Sequence, residues 1–329
     1  MKRFAFVMDP LEKLDLEWDT SLCLLRELRR RGHPTVLFTL SSLSRVSGTV
    51  KGKGYAIHPL GRHRYFQEPK KEYDLARFHA ILIRKDPPFD TNYLALTYLL
   101  ESLANETLVI NHPRGIRDAN EKLFGLRFLR WSPPTIVSAD SREILAFQKK
   151  IHSPLVVKPL YQKGGEGVFL LKQRGNGKRH LLQKATRRGT GTVVAQKFIA
   201  VPKGAGDKRI LIWRGQILGA FERIPRAGEF RSNLSLGGRF LKCPITKPEQ
   251  SLVRAIRPAL LKEGLLFVGI DVRGGKLIEV NVTSPAGLVE LDLLYGGATA
   301  KVADDLEKSN LRDFKECIPN AQGRLRPLR

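Results

Sequence analysis

The chain has 329 residues, 42% of them hydrophobic and 27% charged, which is typical of a globular protein with two or three domains. Its three cysteines, Cys23, Cys243 and Cys317, are odd in number and widely spaced. This pattern excludes a disulfide framework or a zinc ribbon and favours a reducing cytoplasm. The histidines form no HExxH pattern and the longest apolar runs are too short to span a bilayer, so we expect neither a histidine metal site nor a membrane partner.

The net charge is the unusual property of the composition, because 57 Lys and Arg outnumber 32 Asp and Glu and give a formal charge of +25. Residues 171–188 contain seven Lys or Arg and no acidic residue, a pattern that binding to a phosphate backbone can produce. The same stretch has no aromatic residue for base stacking, and the chain carries no nucleic-acid fold signature. A solvated basic surface is therefore favoured over a nucleic-acid interface.

Strands alternate with a helix in the first third of the chain, which indicates a parallel α/β domain. The amphipathic helix begins at Asp19 and is closed by Gly32 after Arg31. The glycine-rich, basic segment 47–71 is expected to be a variable connection, and a second helix is expected to begin near Asp118, whose side chain can cap it. The predicted strands cover residues 3–8, 36–40 and 80–83.

The second half of the chain predicts an α+β arrangement of mostly antiparallel strands joined by glycine-rich loops. The polar segment 224–240 is long for a loop inside a compact domain, and such loops are usually lids. Another loop, Lys163 to Gly167, follows Lys158 and could cradle a phosphate with its backbone N–H groups, although the P-loop motif is absent. The predicted strands cover residues 155–158, 168–172, 193–198, 210–213 and 216–224.

The stretch from Leu265 to Ser284 predicts a β-hairpin that turns at Gly274-Gly275. Glu279 and Asn281 are two residues apart, so a strand places both side chains on one face. Asp271 joins them only if it lies opposite an odd-numbered residue, which requires a three-residue loop or a bulge rather than a tight two-residue turn. Two carboxylates and an amide oxygen on one face suit Mg²⁺, and the alternative is a solvated sheet face.

Several motifs follow one another along the chain: MDP at 8–10, IRKDPPFD at 83–90, RDANEKLF at 117–124, VVKPL at 156–160, GDKR at 206–209, RIP at 223–225, NLSLGGR at 233–239 and VGIDVRGGKLIEVNVTSP at 268–285. Their strings and their order resemble those of bacterial glutathione synthetase, an ATP-grasp ligase, from Met1 to about Glu290. KDPPFD and EVNVTSP are the specific strings. The chain departs from the usual family sequence at residues 161–163, at Ala286 and at Val289.

The resemblance implies an α/β and α+β architecture, in which an ATP-grasp fold follows a parallel α/β (pre-ATP-grasp) domain. The N-terminal domain would cover residues 1–120 and the ATP-grasp domain residues 121–315. Within the second domain, a lid subdomain would lie at about 130–200 and the covering loop at 224–240, and a basic tail at 316–329 would end the chain.

By the same resemblance, a nucleotide site binds ATP with two phosphate-holding lysines, a glycine loop, an adenine-reading strand and one polar contact. In that order these are Lys122 and Lys158; Gly164, Gly165 and Gly167; Gln196, Lys197, Phe198 and Ile199; and Asp207. The implied ligands of Mg²⁺, or of Mn²⁺ in its place, are Asp271, Glu279 and Asn281, with Glu279 shared by two ions.

The resemblance also implies three catalytic arginines, Arg209, Arg223 and Arg231, of which the first two face the dipeptide substrate. The remaining substrate-binding residues are Asn233, Gly237, Gly238, Thr283 and Glu290. No side chain identifies itself in the sequence as a general base for the incoming amine.

The implied reaction couples the cysteinyl carboxylate of γ-glutamylcysteine to glycine through an acyl phosphate and releases ADP and phosphate. One alternative is a related ligase that adds amino acids to another peptide or to a ribosomal protein, and a second is a non-catalytic nucleic-acid-binding protein. The expected partners are γ-glutamylcysteine, glycine and ATP, without a membrane or nucleic acid. A cytoplasmic location is expected, and the family implies a homo-oligomer.

Overall fold

The structure is a computed structural model that describes residues 1–61, 63–162, 165–202 and 204–311. The predicted basic tail at 316–329 and the predicted phosphate-loop residue Gly164 lie outside the described residues. No helix in the described part of the chain is both long enough and apolar enough to cross a membrane.

Eight of the described strands form the N-terminal sheet, namely β1 (Phe4–Val7), β2 (Thr35–Phe38), β3 (Leu43–Val46), β4 (Thr49–Pro59), β5 (Tyr65–Gln67), β6 (Lys71–Asp74), β7 (Ala80–Ile83) and β8 (Leu108–Ile110). The strand order is β3-β4-β2-β1-β7-β8, with β5 and β6 paired to β4. Strands β1, β2, β7 and β8 run parallel and are buried along their length. Their uninterrupted apolar runs suit a sheet covered on both faces, and the predicted parallel α/β arrangement is confirmed.

Three helices accompany this sheet: α1 (Thr20–Arg30), α2 (Thr91–Glu101) and α3 (Pro113–Asp118). The predicted start of α1 is confirmed, because the Asp19 carboxylate accepts a hydrogen bond from the Leu22 backbone N–H at 2.8 Å and so caps the helix. The predicted end is also confirmed, since Gly32 follows the last turn with a φ of +83°, a conformation that favours glycine.

The prediction of a second helix beginning near Asp118 is wrong, because α3 ends at that residue. The helix begins instead at Pro113, and the His112 ring nitrogen accepts a hydrogen bond from the Arg114 N–H at 3.3 Å. Proline suits the first helical position because it lacks an N–H that would remain unpaired there. The Pro113 signal therefore outweighed the capping potential of Asp118.

The prediction that segment 47–71 is a variable connection is wrong, since it forms β4 and β5. Gly52 and Gly54 in this segment allow close packing against a neighbouring side chain. A Cβ on Gly54 would lie 2.6 Å from the Phe38 ring, and one on Gly52 would lie 2.7 Å from it. Glycine is required on β4 because a neighbouring aromatic ring approaches the backbone.

The second half of the chain contains two antiparallel sheets, as predicted. The four-stranded sheet has the order β11-β10-β12-β9. Its strands are β9 (Thr135–Ser138), β10 (Leu155–Pro159), β11 (Phe169–Leu171) and β12 (Val193–Lys197). Along the chain, α4 (Ser141–Ile151) lies between β9 and β10, and α5 (Lys178–Ala185) lies between β11 and β12. The five-stranded sheet, in the order β15-β14-β13-β16-β17, has the strands β13 (Asp207–Trp213), β14 (Gln216–Ile224), β15 (Arg239–Lys242), β16 (Phe267–Arg273) and β17 (Lys276–Asn281). The remaining described helices are α6 (Lys247–Lys262), α7 (Leu288–Tyr295) and α8 (Ala298–Lys308).

The two halves of the chain are joined by the buried side chain of Asn111, directly after β8. Its amide nitrogen donates to the carbonyl oxygens of Phe267 and Val282, both at 2.7 Å. Its oxygen accepts from the backbone N–H groups of Leu266 and Phe267, both at 2.8 Å. Every polar atom of this buried side chain is hydrogen-bonded across the junction. Asn111 therefore fixes the position of the N-terminal sheet relative to the five-stranded sheet.

The basic stretch 171–188 contains α5 and lies on the surface of the four-stranded unit. Most of its cationic side chains are exposed, including Lys172, Arg174, Arg187 and Arg188. This exposure agrees with a solvated basic surface.

Candidate functional site

A cavity of about 470 Å³ lies where the N-terminal sheet and the two antiparallel sheets meet. Most of the predicted site residues line it, namely Lys122, Lys158, Gly165, Gln196, Lys197, Phe198, Ile199, Asp207, Arg209, Arg223, Arg231, Asn233, Asp271, Glu279, Asn281, Thr283 and Glu290. Three predicted residues, Gly167, Gly237 and Gly238, are not part of its lining. The structure therefore brings together residues from positions 122 to 290 in one cleft.

The hairpin that carries the predicted metal ligands has a register shift. Gly274 and Gly275 form a two-residue turn with φ values of +54° and +75°. A bulge at Ile278 on β17, opposite the step from Asp271 to Val272, then restores the parity, so that Asp271 lies opposite Glu279 and Gly269 lies opposite Asn281. Of the two solutions that the sequence left open, a three-residue loop or a bulge, the structure has the bulge, and all three polar side chains line the cavity.

Asp271 is bound by two arginines. Its Oδ1 accepts hydrogen bonds from Arg209 Nε at 2.6 Å and from Arg223 Nη2 at 3.0 Å, and Arg209 Nη2 contacts Oδ2 at 3.1 Å. Burial alone would raise the pKa of the Asp271 carboxyl, but the two guanidinium charges outweigh it and hold the pKa at about 2. The carboxylate is therefore ionised, and it fixes the direction of both arginines.

Glu279 and Asn281 have weaker or fewer charged contacts than Asp271 does. Glu279 has an ion pair with Lys122 in the described part of the chain, in which the Lys122 Nζ lies 3.7 Å from the Glu279 Oε1. The amide nitrogen of Asn281 donates to the Gly269 carbonyl at 3.1 Å. An all-oxygen set without histidine or cysteine fits Mg²⁺, with Glu279 and Asn281 accessible from the cavity and Asp271 shared with its two arginines.

Two buried lysines, Lys122 and Lys158, line the cavity. Lys158 Nζ donates to Gln196 Oε1 and to the Ile278 carbonyl, both at 3.2 Å. Burial lowers the pKa of the Lys158 ammonium, while the charge of Glu279 acts in the opposite direction. Lys122 Nζ donates to the Gln162 carbonyl at 2.7 Å, at the edge of the predicted phosphate loop. Each ammonium thus contacts neutral oxygens that an anionic ligand could replace.

Glu121 is a partly buried carboxylate that the sequence analysis did not single out. Its Oε1 accepts three hydrogen bonds: from the Val282 N–H at 3.0 Å, the Thr283 N–H at 3.1 Å and the Thr283 hydroxyl at 2.8 Å. Burial, followed by the charge of Glu279, raises the pKa of Glu121. Glu121 therefore holds the end of β17 in place, and the predicted substrate residue Thr283 is one of its partners. The sequence signal that could have identified Glu121 is the RDANEKLF motif, which contains it next to Lys122.

Arg273 is a second residue that the sequence analysis treated only as part of a turn. Its Nη1 donates to Asp207 at 2.6 Å, and its Nε donates to the Ile199 carbonyl at 2.8 Å. Its guanidinium also lies 5.4 Å from the centre of the Phe198 ring. One side chain thus joins the predicted adenine-reading strand to the predicted polar contact near the nucleotide.

The loop between β14 and β15, residues 225–238, reaches across the cavity to the glycine loop. Arg231 Nη1 donates to the Gly165 carbonyl at 2.9 Å, and Nη2 donates to Glu229 at 2.6 Å. The Arg231 Nε and the Ser232 hydroxyl are buried and have no hydrogen-bond partner. Two polar groups of the loop are therefore available to a ligand beneath it.

The predicted glycines that do not line the cavity shape the loops around it. Gly167 has a φ of +67°, and a Cβ there would lie 2.9 Å from the Pro159 ring. Gly237 has a φ of +82°, and a Cβ on Gly238 would approach the Asn233 carbonyl to 3.1 Å. Their contribution is to backbone conformation and close approach rather than to the cavity wall.

Comparison with known proteins agrees with this architecture. The N-terminal domain of prokaryotic glutathione synthetase matches residues 2–117, and the ATP-grasp domain of the same family matches residues 121–296. The glutathione synthetase of Synechocystis sp. is 38% identical over 306 residues, covering 89% of this chain and 95% of the relative. That of Nitrosomonas europaea is 36% identical over 316 residues, covering 94% and 98%.

Solved structures with low sequence identity share the fold. A RimK domain ATP-grasp protein from Sphaerobacter thermophilus has a TM-score of 0.58 at 18% identity, covering 93% of this chain and 99% of that chain. The D-cycloserine synthetase DcsG has a TM-score of 0.62 at 17% identity, covering 92% and 99%. The predicted ATP-grasp fold is therefore confirmed, and with both family domains matched, this chain belongs to the prokaryotic glutathione synthetase family.

Proposed function

We propose that this chain joins the cysteinyl carboxylate of γ-glutamylcysteine to glycine, with conversion of ATP to ADP and phosphate. The observation that supports this most strongly is a single cavity that combines phosphate-binding cations, an all-oxygen ligand set and paired arginines. Buried lysines line one part of it, and the arginines held by Asp271 line another. This combination suits phosphoryl transfer to a carboxylate followed by attack of an amine.

The first chemical requirement is activation of the carboxylate, which is a poor electrophile in water until ATP converts it to an acyl phosphate. Lys122 and Lys158 would bind the phosphates of ATP, because both ammonium groups lie in the cavity wall. The segment from Gln196 to Ile199, at the end of β12, would contact the adenine, with Asp207 and Arg273 holding that end of the site together. Positioning of this kind supplies much of the rate in phosphoryl transfer.

The metal would be held by Glu279, Asn281 and Asp271, whose oxygens share one face of the hairpin. Mg²⁺ bound there would offset the negative charge that develops on phosphoryl transfer. Glu279 lies 3.7 Å from Lys122, so the carboxylate also has a cationic neighbour that limits its repulsion of the phosphates. Mn²⁺ has the same preference for oxygen ligands and would be an alternative ion.

The second requirement is stabilisation of the oxyanion that forms when the amine attacks. Arg209 and Arg223 are the natural donors, because both lie at the cavity wall and share the buried carboxylate of Asp271. A preorganised cation needs no reorientation during the reaction. Asp271 would therefore contribute to catalysis by positioning these arginines.

The third requirement is exclusion of water, which competes with glycine for the acyl phosphate. Loop 225–238 would cover the cavity, with Arg231 bound to Gly165 and Glu229 on its inner side.

Free thiols at Cys23 and Cys243 suit a reducing cytoplasm, where we place the protein. We retain the division into an N-terminal domain at 1–120 and an ATP-grasp domain at 121–315 as part of this proposal.

The substrates are tested by measuring phosphate release with γ-glutamylcysteine and glycine against other acceptor pairs at equal concentrations. We expect release above background with this pair, and formation of one tripeptide for each phosphate. The informative competitors are γ-glutamylcysteine with glutamate, and a ribosomal-protein peptide with glutamate. Faster release with either competitor would refute the assignment of substrates and favour a related ligase.

A further inference from the structure

Glu290 carries a buried carboxylate oxygen without a partner. The residue lies in the first turn of α7, lines the cavity and is 5% exposed. Its Oε2 is buried and has no hydrogen-bond partner. A buried, unpaired polar atom is costly, so its presence at a cavity wall indicates a ligand that supplies a donor.

The other carboxylates of the cavity with described contacts have partners already. Asp207 binds Arg273, and Asp271 binds two arginines. Glu121 Oε1 accepts three hydrogen bonds from the end of β17, and Glu279 lies near Lys122. Among the buried side-chain atoms that lack a partner in the described part of the chain, Glu290 Oε2 is the one carboxylate oxygen.

The backbone before α7 is firmly held, which fixes where Glu290 projects. The Gly287 N–H donates to the Thr20 hydroxyl at 3.0 Å, and a Cβ on Gly287 would lie 2.9 Å from the Phe221 ring. Arg209 Nη1 donates to the Ala286 carbonyl at 3.1 Å. The arginine that we assign to the oxyanion thus also positions the turn that leads to Glu290.

A complementary unpaired donor lies in the same cavity wall. Arg223 Nε is buried without a partner, although the same guanidinium binds Asp271 through Nη2. An α-amino acid carries one cationic and one anionic group, so it can pair with both Glu290 and Arg223. The two atoms therefore suit a zwitterionic acceptor better than a neutral one.

Building on the function proposed above, we propose that Glu290 is a catalytic residue that binds the ammonium of the acceptor amino acid and takes its proton. The acceptor ammonium transfers one proton to Glu290 Oε2, and its freed lone pair forms the C–N bond at the acyl carbon. The bond between that carbon and the phosphate oxygen then breaks, and phosphate leaves with the electron pair. The second proton lost from nitrogen goes to the departing phosphate, so charge and atoms balance.

The environment of Glu290 suits a proton acceptor. Burial raises the pKa of its carboxyl above the ordinary value of 4.5, and the charges of Arg209 and Arg223, on the strands facing it, act in the opposite direction. A carboxylate in such a site is a stronger base than an exposed one.

The test compares two nucleophiles in the Glu290→Gln variant of the full chain. Glycine is an ammonium ion at neutral pH and must lose a proton before it can attack, whereas hydroxylamine is neutral and attacks an acyl phosphate with a lone pair that is already free, forming a hydroxamate and losing its one proton to the departing phosphate. We expect tripeptide formation to fall about 100-fold or more, the usual contribution of general base catalysis, with hydroxamate formation within about 2-fold of wild type. Raising the pH should narrow the glycine deficit, because more of the glycine is then deprotonated.

Two further variants keep the test decisive. Glu290→Asp retains a carboxylate and should couple glycine better than Glu290→Gln does. Asp292→Asn, the same charge change on the same helix outside the cavity lining, should leave both reactions unchanged. Equal losses of tripeptide and hydroxamate in Glu290→Gln, or no loss of either, would overturn the role of Glu290. Absence of hydroxamate in the wild-type protein would instead overturn the acyl-phosphate function itself.

Discussion

Asp271 and Glu279 lie opposite each other on one hairpin, yet their substitutions should affect different properties. Replacing Asp271 should lower the stability of the fold, whereas replacing Glu279 should lower turnover and leave stability nearly unchanged. Replacing Asp271 with Asn would remove the carboxylate that pairs directly with the buried Arg209 and Arg223, since Asp271 is 3% exposed and lies 2.6 Å and 3.0 Å from them. Breaking a buried ion pair by removing one partner costs about 3–5 kcal/mol of unfolding free energy. Replacing Glu279 with Gln should cost less than about 1 kcal/mol, because its ion pair with Lys122 is long, at 3.7 Å.

The depressed pKa of Asp271 also reports how much its ionised carboxylate contributes to the free energy of unfolding. Its folded value of about 2 lies below the ordinary value of 3.8, which corresponds to about 2 kcal/mol of stability at neutral pH. Because the folded pKa is depressed, this stability is present above pH 3.8 and is lost as the pH falls towards 2. The Asn variant should lack this acid-dependent component.

The assay is urea unfolding followed by tryptophan fluorescence, since Trp213 lies in the core on β13, the strand that also carries Arg209. Glu279→Gln should unfold near the wild-type midpoint while its turnover falls at least tenfold, which is about 1.4 kcal/mol of activation free energy. Asp140→Asn, at an exposed Asp–Arg pair where Asn can still cap α4, is the control and should leave the midpoint unchanged. A wild-type midpoint for Asp271→Asn, or an equal shift for Glu279→Gln, would refute the reasoning.

Three other perturbations separate the remaining parts of the account. Replacing Arg231 with Ala should raise the glycine requirement and the ATP hydrolysed per tripeptide, measured as phosphate and tripeptide in the same sample; a constant ratio of one would rule out a water-excluding loop. Gly54→Ala should destabilise the fold by about 1–3 kcal/mol in urea unfolding, because its Cβ would lie 2.6 Å from the Phe38 ring; an unchanged midpoint would contradict this. Replacing Arg187 and Arg188 with Ser should leave turnover unchanged, and salt-resistant binding of nucleic acid that depends on these residues would instead support an interface.

Local signals in the sequence were sufficient where one residue decides the geometry. Side-chain parity predicted that Glu279 and Asn281 share one face, and it stated the condition, a three-residue loop or a bulge, under which Asp271 joins them; the structure meets that condition with a bulge. The amphipathic pattern from Asp19 to Arg31 likewise predicted the start of α1, and the structure shows that the Asp19 carboxylate caps it. Asp118 shows the limit of this approach, because a residue with capping potential competes with a nearby proline, and Pro113 began the helix instead.

Contacts between distant segments were not predictable in this way. The pairs Arg273–Asp207 and Arg209–Asp271 join residues more than 60 positions apart, and no spacing rule relates them. Glu121 likewise reaches the end of β17 only through the tertiary fold. The sequence therefore supports predictions of which residue types meet in the site, whereas the partner of each charge depends on how the sheets come together.

The central claim is that an oxygen of the substrate carboxylate attacks the terminal phosphorus of ATP and that this oxygen then leaves in the phosphate released. Labelling both oxygens of the cysteinyl carboxylate of γ-glutamylcysteine with ¹⁸O and analysing the products by mass spectrometry tests this directly. An acyl phosphate requires one labelled oxygen in each phosphate released, with the other retained in the tripeptide amide. Unlabelled phosphate, or label in AMP, would contradict the account, because the carboxylate would then not have been activated by transfer of the terminal phosphoryl group.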